Sequence, residues 1–214
     1  MTVVNRWTEP DWANDYLEHR DSLPHREEGH AVLAEIVAAT APVTRVLDLG
    51  TGDGFTLGRV LLARPEATGV GMDFSPEMLE RARARFGDDA RVEIVSHDLE
   101  QPLPHGLGEF DLVVSSFAIH HCAPARQREL YSEVLALLAP GGRFANLEHV
   151  ASPTPALHAA FLAELGITPE DEDPANQLVG LETQLGCLRD LGFAEVECFW
   201  KWRELALLSG VRPV

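Results

Sequence analysis

Three acids and a run of glycines are the residues whose types and spacing point to chemistry. In Val46-Leu47-Asp48-Leu49-Gly50-Thr51-Gly52-Asp53-Gly54-Phe55 a strand pattern ends in an acid, alternating glycines follow, and a helix pattern opens. Glycine is needed where backbone must take positive φ or lie against a ligand with no Cβ in the way. The helix start beyond offers free N–H groups to a carboxylate or phosphate. The G-x-G-x-x-G spacing of a dinucleotide site is not met, because Leu57 stands three residues after Gly54. No G-K-[ST] follows, so a phosphate loop is not met either. Asp48, just before the first glycine, would repel a pyrophosphate and suits a ligand carrying positive charge. Gly71-Met72-Asp73 closes a second strand, and its carboxylate falls where ligands bind in open α/β sheets, placed to accept from both ribose hydroxyls. Asp98, past a third strand, can accept from an exocyclic amine such as that of adenine. Together these residues describe a nucleoside with a cationic substituent and no phosphates. Asp53 is most simply a helix-entry residue.

Proton-exchanging side chains gather at the same edge. His120 and His121 follow a fourth strand, and His149 closes a fifth beside Glu148. Each is a candidate general base, with a satisfied structural histidine as the plain alternative. No helical ligand spacing unites them with Glu148 into a metal site, and none is expected. Cys122, Cys187 and Cys198 are odd in number and widely spaced. That fits a reducing compartment and neither a disulfide framework nor zinc. The single lysine, Lys201, gives Schiff-base chemistry little support.

A sheet is required to line these residues up. Short β-rich runs at 43–49, 67–73, 91–96, 110–116 and 142–150 alternate with helical patterns, the signature of a parallel sheet covered by helices. Ser75-Pro76-Glu77 is an N-cap with proline at the first helical position, followed by Met78, Leu79, Ala82 and Phe86 as an apolar stripe. Pro124 opens a helix with Leu130, Val134, Leu137 and Leu138 inward, and Pro140-Gly141-Gly142 stops it. Residues 1–40 hold two helical segments, the second with Val32, Leu33, Ile36 and Val37 on one face and Trp7, Trp12 and Tyr16 ahead of it. Residues 151–191 break the alternation with a helix at 156–165, an acidic turn at 168–174, and a helix carrying Leu178, Leu181, Leu185 and Leu188. The stretch 193–214 predicts two strands reversing at Trp202-Arg203-Glu204, a hairpin that makes the sheet mixed at one edge. The expected organisation is a single domain: an N-terminal helical lid at 1–40, a core at 42–150, a helical insertion at 151–191 and a terminal hairpin at 192–214.

Composition narrows the partners. The 214 residues suit one ordinary domain, which buries roughly 70% of its unfolded surface. With 34 carboxylates against 17 Lys and Arg, the formal net charge is −17. Phosphate contacts need clustered cations, so nucleic acid and anionic lipid are not expected partners. No run reaches the ~20 apolar residues of a membrane span, and 1–10 lacks a basic-then-apolar signal pattern. A cytoplasmic setting is the expectation.

The chain resembles the class I S-adenosylmethionine-dependent methyltransferases of the small-molecule group. Leu47-Asp48-Leu49-Gly50-Thr51-Gly52-Asp53-Gly54 and Gly71-Met72-Asp73-Phe74-Ser75-Pro76-Glu77-Met78-Leu79 carry the likeness. His97-Asp98-Leu99, Phe110-Asp111-Leu112-Val113-Val114-Ser115-Ser116 and Leu138-Ala139-Pro140-Gly141-Gly142 follow in the right order. The resemblance covers about residues 42–150 and the terminal hairpin. It implies a doubly wound, Rossmann-like α/β fold with a seven-stranded mixed sheet in the order 3-2-1-4-5-7-6, strand 7 antiparallel. It implies S-adenosyl-L-methionine as cofactor and assigns roles. Gly50, Thr51 and Gly52 would line the methionine part, with Asp48 and the Ser115 carbonyl near its amino group. Asp73 would hold the ribose, Phe74 would lie beside adenine, Asp98 would reach its amine and Leu99 a ring face.

A methyltransferase of this kind needs a base only if its acceptor keeps a proton at neutral pH. His120, His121 and His149 are the candidates, His149 slightly preferred because Glu148 adjoins it. The [ND]-P-P-[YF] of base and glutamine methyltransferases is replaced by Ser115-Ser116-Phe117-Ala118, which disfavours that subclass without naming the acceptor; the expectation is a small organic molecule. The N-terminal aromatics and the 151–191 helices should roof its pocket. Arg20 and Arg26 are candidates for the cofactor's carboxylate, with surface pairing as the alternative.

Overall fold

The computed structural model describes residues 23–40 and 42–214. The first expected helical segment, with Trp7, Trp12, Tyr16 and Arg20, lies outside the described residues.

The elements run α1 (Arg26–Ala39), β1 (Arg45–Leu49), α2 (Phe55–Ala63), β2 (Thr68–Asp73), α3 (Pro76–Phe86), β3 (Val92–Ser96) and β4 (Phe110–Ser116). A short 3-10 turn (Ile119–His121) leads to α4 (Pro124–Leu137), β5 (Leu138–His149), α5 (Pro155–Leu165), α6 (Leu181–Leu191), β6 (Ala194–Trp202) and β7 (Leu205–Val211). The seven strands form one sheet in the expected order, β3-β2-β1-β4-β5-β7-β6. β1 to β5 are mutually parallel, and β7 runs antiparallel to both β5 and β6.

Two faces of the sheet are covered, which is why its central strands are apolar on both sides. On one face Leu33, Val37, Leu57 and Val60 of α1 and α2 pack against Val46, Val114 and Leu147. On the other Leu130, Tyr131 and Val134 of α4 and Leu185 and Leu188 of α6 pack against Leu47, Val113 and Phe144. A smaller cluster seats α5, through Phe161 and Leu162, on Leu205 beside Trp200 and Trp202.

Three local expectations change. Leu178 precedes α6 instead of belonging to it, and its neighbour Val179 accepts a bond from the Ala151 N–H. β5 begins at Leu138, four residues before the expected start, because α4 runs straight into extended backbone. Ser75 does stand at the N-cap of α3 with extended backbone, but its hydroxyl makes no capping bond. Its backbone N–H donates to Asp73 Oδ1 instead, at 2.9 Å.

The register is what assembles a site. Leu49 pairs with Met72 and with Ser115, Asp73 with Ser96, and Ser116 with Leu147. The parallel strands therefore end nearly level, and the residues that follow each one meet at the carboxyl edge.

Candidate active site

The glycine loop is built around two carboxylates. Asp48, fully buried, takes the Thr51 hydroxyl at 2.7 Å and the Leu57 N–H at 3.2 Å on Oδ2. Its Oδ1 has no hydrogen bond within the described residues. Burial pushes this carboxyl up to about 7, against the pull of those two donors. Asp48 thus braces the loop from below. Asp73 braces it from the side, accepting the Gly52 N–H on Oδ2 at 2.9 Å and the Ser75 N–H on Oδ1. A carboxylate has about four acceptor positions; with the Phe74 N–H also directed at Asp73, at least one remains for a ligand. Burial raises its pKa above the ordinary value, and the backbone donors work the other way.

The glycines answer to different needs. Gly50 and Gly52 both have positive φ, 68° and 56°. A Cβ on Gly50 would stand 2.1 Å from Ala118 Cβ, whereas one on Gly52 would meet only Met78 Sδ at 4.0 Å. The first glycine lets two loops touch, and the second leaves room. Asp53 accepts the Phe55 N–H at 3.2 Å and pairs with Arg85 at 2.6 Å, which makes it the expected helix-entry residue.

A partly open cleft lies at this edge. Gly50, Asp73, Phe74, Asp98 and Leu99 line one part of it, and Ser116, Ala118, His121 and Cys122 another. Six residues of the sequence-derived set therefore meet in one cavity: Gly50, Asp73, Phe74, Asp98, Leu99 and His121. Asp48, Thr51, Gly52, Ser115, His120 and His149 are not among its walls. Ser115 is buried, and its hydroxyl donates to the Leu49 carbonyl at 2.8 Å. Arg26 is buried too, its guanidinium 4.7 Å from the centre of the Phe117 ring.

The three histidines come together. The ring centroids of His120 and His121 are 4.1 Å apart, and those of His120 and His149 are 5.6 Å apart. Glu148 serves His120: its carboxylate meets the ring Nδ1 and takes the His120 N–H at 3.1 Å. Neighbours on a strand point to opposite faces, and the His149 ring accordingly turns to Glu204, with Nε2 3.0 Å from Oε2. Only the His149 N–H reaches Glu148. Burial pushes Glu148 up to about 7 and drives His120 well below the imidazole range. Burial and the neighbouring His120 lower His121 to about 3. His120 and His121 are therefore held as neutral imidazoles. Burial also pushes the Cys122 thiol up to about 12, so it is no nucleophile at neutral pH.

Two residues at the cleft escaped the sequence. Ser116, the strand neighbour of the expected Ser115, faces the cavity, and strand parity could have separated the two. His30 lies on the buried stripe of α1 between Arg26 and Leu33, a polar ring at an apolar position. Its Nε2 is 3.2 Å from the Ser116 hydroxyl.

Comparison with known proteins agrees with this geometry. Residues 46–142 match the model of the methyltransferase domain family. An uncharacterized methyltransferase of Synechocystis is 42% identical over 107 residues, covering 50% of this chain and 48% of its own length. A carboxy-S-adenosyl-L-methionine synthase of Helicobacter hepaticus is 25% identical over 210 residues, covering 88% of this chain and 86% of its own. The solved structure of an O-methyltransferase family protein from Burkholderia thailandensis superposes with a TM-score of 0.68 and 26% identity, over 85% of this chain and 55% of that one. The chain spans about half the length of the curated relatives it matches over the core. With the glycine loop, the acid at the end of β2 and the strand order, residues 46–142 are a methyltransferase domain, and the chain as a whole is similar to class I S-adenosylmethionine-dependent methyltransferases.

Proposed function

We propose that the protein transfers the methyl group of S-adenosylmethionine to a small organic acceptor at the carboxyl edge of the sheet. The observation that carries this is the single cleft walled on one side by Asp73, Phe74, Asp98 and Leu99 and on the other by Ser116 and His121. Asp73 offers its remaining acceptor capacity to a ribose, and Asp98 offers a carboxylate to an amine. Phe74 and Leu99 supply flat apolar contact for adenine. Gly50, Thr51 and Gly52 keep the loop low enough for the methionine part, with Asp48 and Ser115 shaping that loop from beneath. When bound, the cofactor supplies an already activated methyl group. The chain's task is then to align the acceptor at about 3–3.5 Å and to keep water out.

For an acceptor that holds its proton, His120 and His121 are the residues to remove it. Glu148 holds Nδ1 of His120, which orients the ring as an acid orients a histidine in a hydrolase triad. In this reading the core spans 42–150 and the insertion 151–191 covers the acceptor side of a single domain. Its Gln177 N–H is bonded to the His120 carbonyl at 2.7 Å, which supports that placement. No helix among the described residues is long and apolar enough to cross a membrane, and the three cysteines are free. These support a cytoplasmic enzyme, and the net charge of −17 supports an acceptor other than nucleic acid.

A second reading, modification of the cofactor itself, is favoured by the likeness to the carboxy-S-adenosyl-L-methionine synthase, which covers 88% of this chain and so reaches well beyond residues 46–142. Mass spectrometry of ligands released from the purified protein separates the two. Intact cofactor or S-adenosylhomocysteine supports methyl transfer, and a carboxylated cofactor overturns it. An acceptor panel read by S-adenosylhomocysteine release then names the substrate class.

A further inference from the structure

Helix α1 grips the end of β4 at two points one helical turn apart. Arg26 covers the ring of Phe117 at 4.7 Å, and His30 reaches the hydroxyl of Ser116 at 3.2 Å. Residues four apart share a helix face, so the two grips act on consecutive residues of the strand end. Phe117 has φ 52°, a region L-residues rarely adopt, with its N–H fixed on the Leu147 carbonyl at 2.7 Å. Backbone held this way at a strand end is strained and persists where the surroundings over-determine it.

The His30 contacts decide which atom of the Ser116 hydroxyl faces the cleft. Nδ1 of His30 lies 3.1 Å from the Arg26 carbonyl oxygen. A carbonyl only accepts, so Nδ1 carries the ring hydrogen and Nε2 carries a lone pair. Ser116 must then donate its only hydrogen to Nε2. What remains for the cleft is oxygen lone pairs. Burial, aided by the Arg26 charge, lowers His30 to about 4, so this arrangement holds across the working pH range. The Phe55 ring, at the start of α2, stands edge-on to His30 at 5.3 Å and keeps it in place.

We infer that His30 is a positioning residue which presents the Ser116 oxygen to the cleft as an acceptor, and that this oxygen favours the positively charged, methyl-bearing cofactor over its demethylated product. The inference rests on the proposed seating of the cofactor in this cleft. A sulfonium withdraws electrons from its methyl group, and polarised C–H groups donate weakly to oxygen. The neutral thioether left after transfer offers neither the charge nor the methyl group. A hydroxyl free to turn its hydrogen into the cleft would lose this selectivity.

The test is the ratio of the S-adenosylhomocysteine Kd to the S-adenosylmethionine Kd, measured by calorimetry on the full chain. Ser116→Ala and His30→Leu should each lower that ratio about threefold or more, within the range of a weak hydrogen bond. His30→Gln, which keeps an acceptor near the Nε2 position, should restore part of it. A merely structural role would weaken both ligands alike and leave the ratio unmoved. An unchanged ratio in Ser116→Ala, which deletes one atom and should fold, overturns the inference while leaving the cofactor site standing. Failure of the unaltered protein to bind either ligand overturns the cofactor site and the inference together.

Discussion

At the residue scale the site rests on how many bonds each polar atom already makes. Asp73 accepts the Gly52 and Ser75 N–H groups on separate oxygens and keeps acceptor capacity for a ligand. A charge-assisted bond is worth about 1.5–3 kcal/mol, and 1.4 kcal/mol is tenfold in affinity. Asp73→Ala is therefore expected to weaken S-adenosylmethionine binding at least about tenfold. Calorimetry showing wild-type affinity would remove Asp73 from the site. The histidines divide by the same accounting. His120 has its carboxylate partner in Glu148, while the His149 ring is committed to Glu204. With a hydroxyl acceptor, His120→Ala should slow turnover about a hundredfold or more while cofactor affinity holds. Glu148→Gln should follow it in direction, and His149→Ala should chiefly lower thermal stability. If variants at 120, 121 and 149 all turn over normally, the enzyme works by positioning and its acceptor is already a nucleophile.

At the scale of elements, strand ends and helix starts were legible because each is announced locally. The acid and glycines after β1, the Gly71-Met72-Asp73 end of β2 and the proline at the start of α3 are short-range signals, and the structure places each at the sheet's carboxyl edge. What the sequence could not show is which partner a side chain meets across elements. Ser116 and not Ser115 lines the cleft because successive residues of a strand face opposite ways, and the Ser115 hydroxyl is turned to the Leu49 carbonyl. His30 belongs to the site only because α1 packs beside β4, a contact between residues 86 apart. The two loop glycines carry a test at this scale. Gly50→Ala must place a methyl group 2.1 Å from Ala118 Cβ and take an unfavourable φ as well, so it should lower the melting temperature clearly. Gly52→Ala has open space around it and should cost only about 1–2 kcal/mol for its φ. Its added methyl group should instead obstruct the cofactor. Thermal melts beside calorimetry distinguish the two, and full cofactor binding by Gly52→Ala would contradict the loop's assigned role.

At the scale of the whole molecule, the acidic insertion is tied to the sheet by a chain of alternating acids and imidazoles. Glu204, buried in the β6–β7 turn, meets His149 from β5 and His158 from α5, each at 3.0 Å. His158 in turn meets Glu172 at 3.2 Å. Nothing in the local sequence marks this chain, because its members stand in four separate segments. The hydrogen bond to Glu204, with the charges of Glu204 and Glu172, raises the pKa of His158 despite partial burial. Burial of Glu204 favours its protonated form, but bonds from His149, Ser152 and His158 outweigh this and hold it below the ordinary value. The signs fix a window. A raised histidine stabilises fully below its unfolded pKa, near 6.5, and loses that contribution as pH climbs through the folded value. A depressed carboxylate stabilises above its unfolded pKa, near 4.5, and loses its contribution as pH falls through the folded value. The seat of α5 on the sheet should accordingly be firmest between those two limits and loosen on the alkaline side first. Amide hydrogen exchange across Pro155–Leu165, corrected for intrinsic rates, should show protection falling as pH rises above neutrality. His158→Gln should flatten that alkaline dependence while leaving β1 to β5 protected. An alkaline loss of protection that persists unchanged in His158→Gln would mean that another group holds the insertion in place.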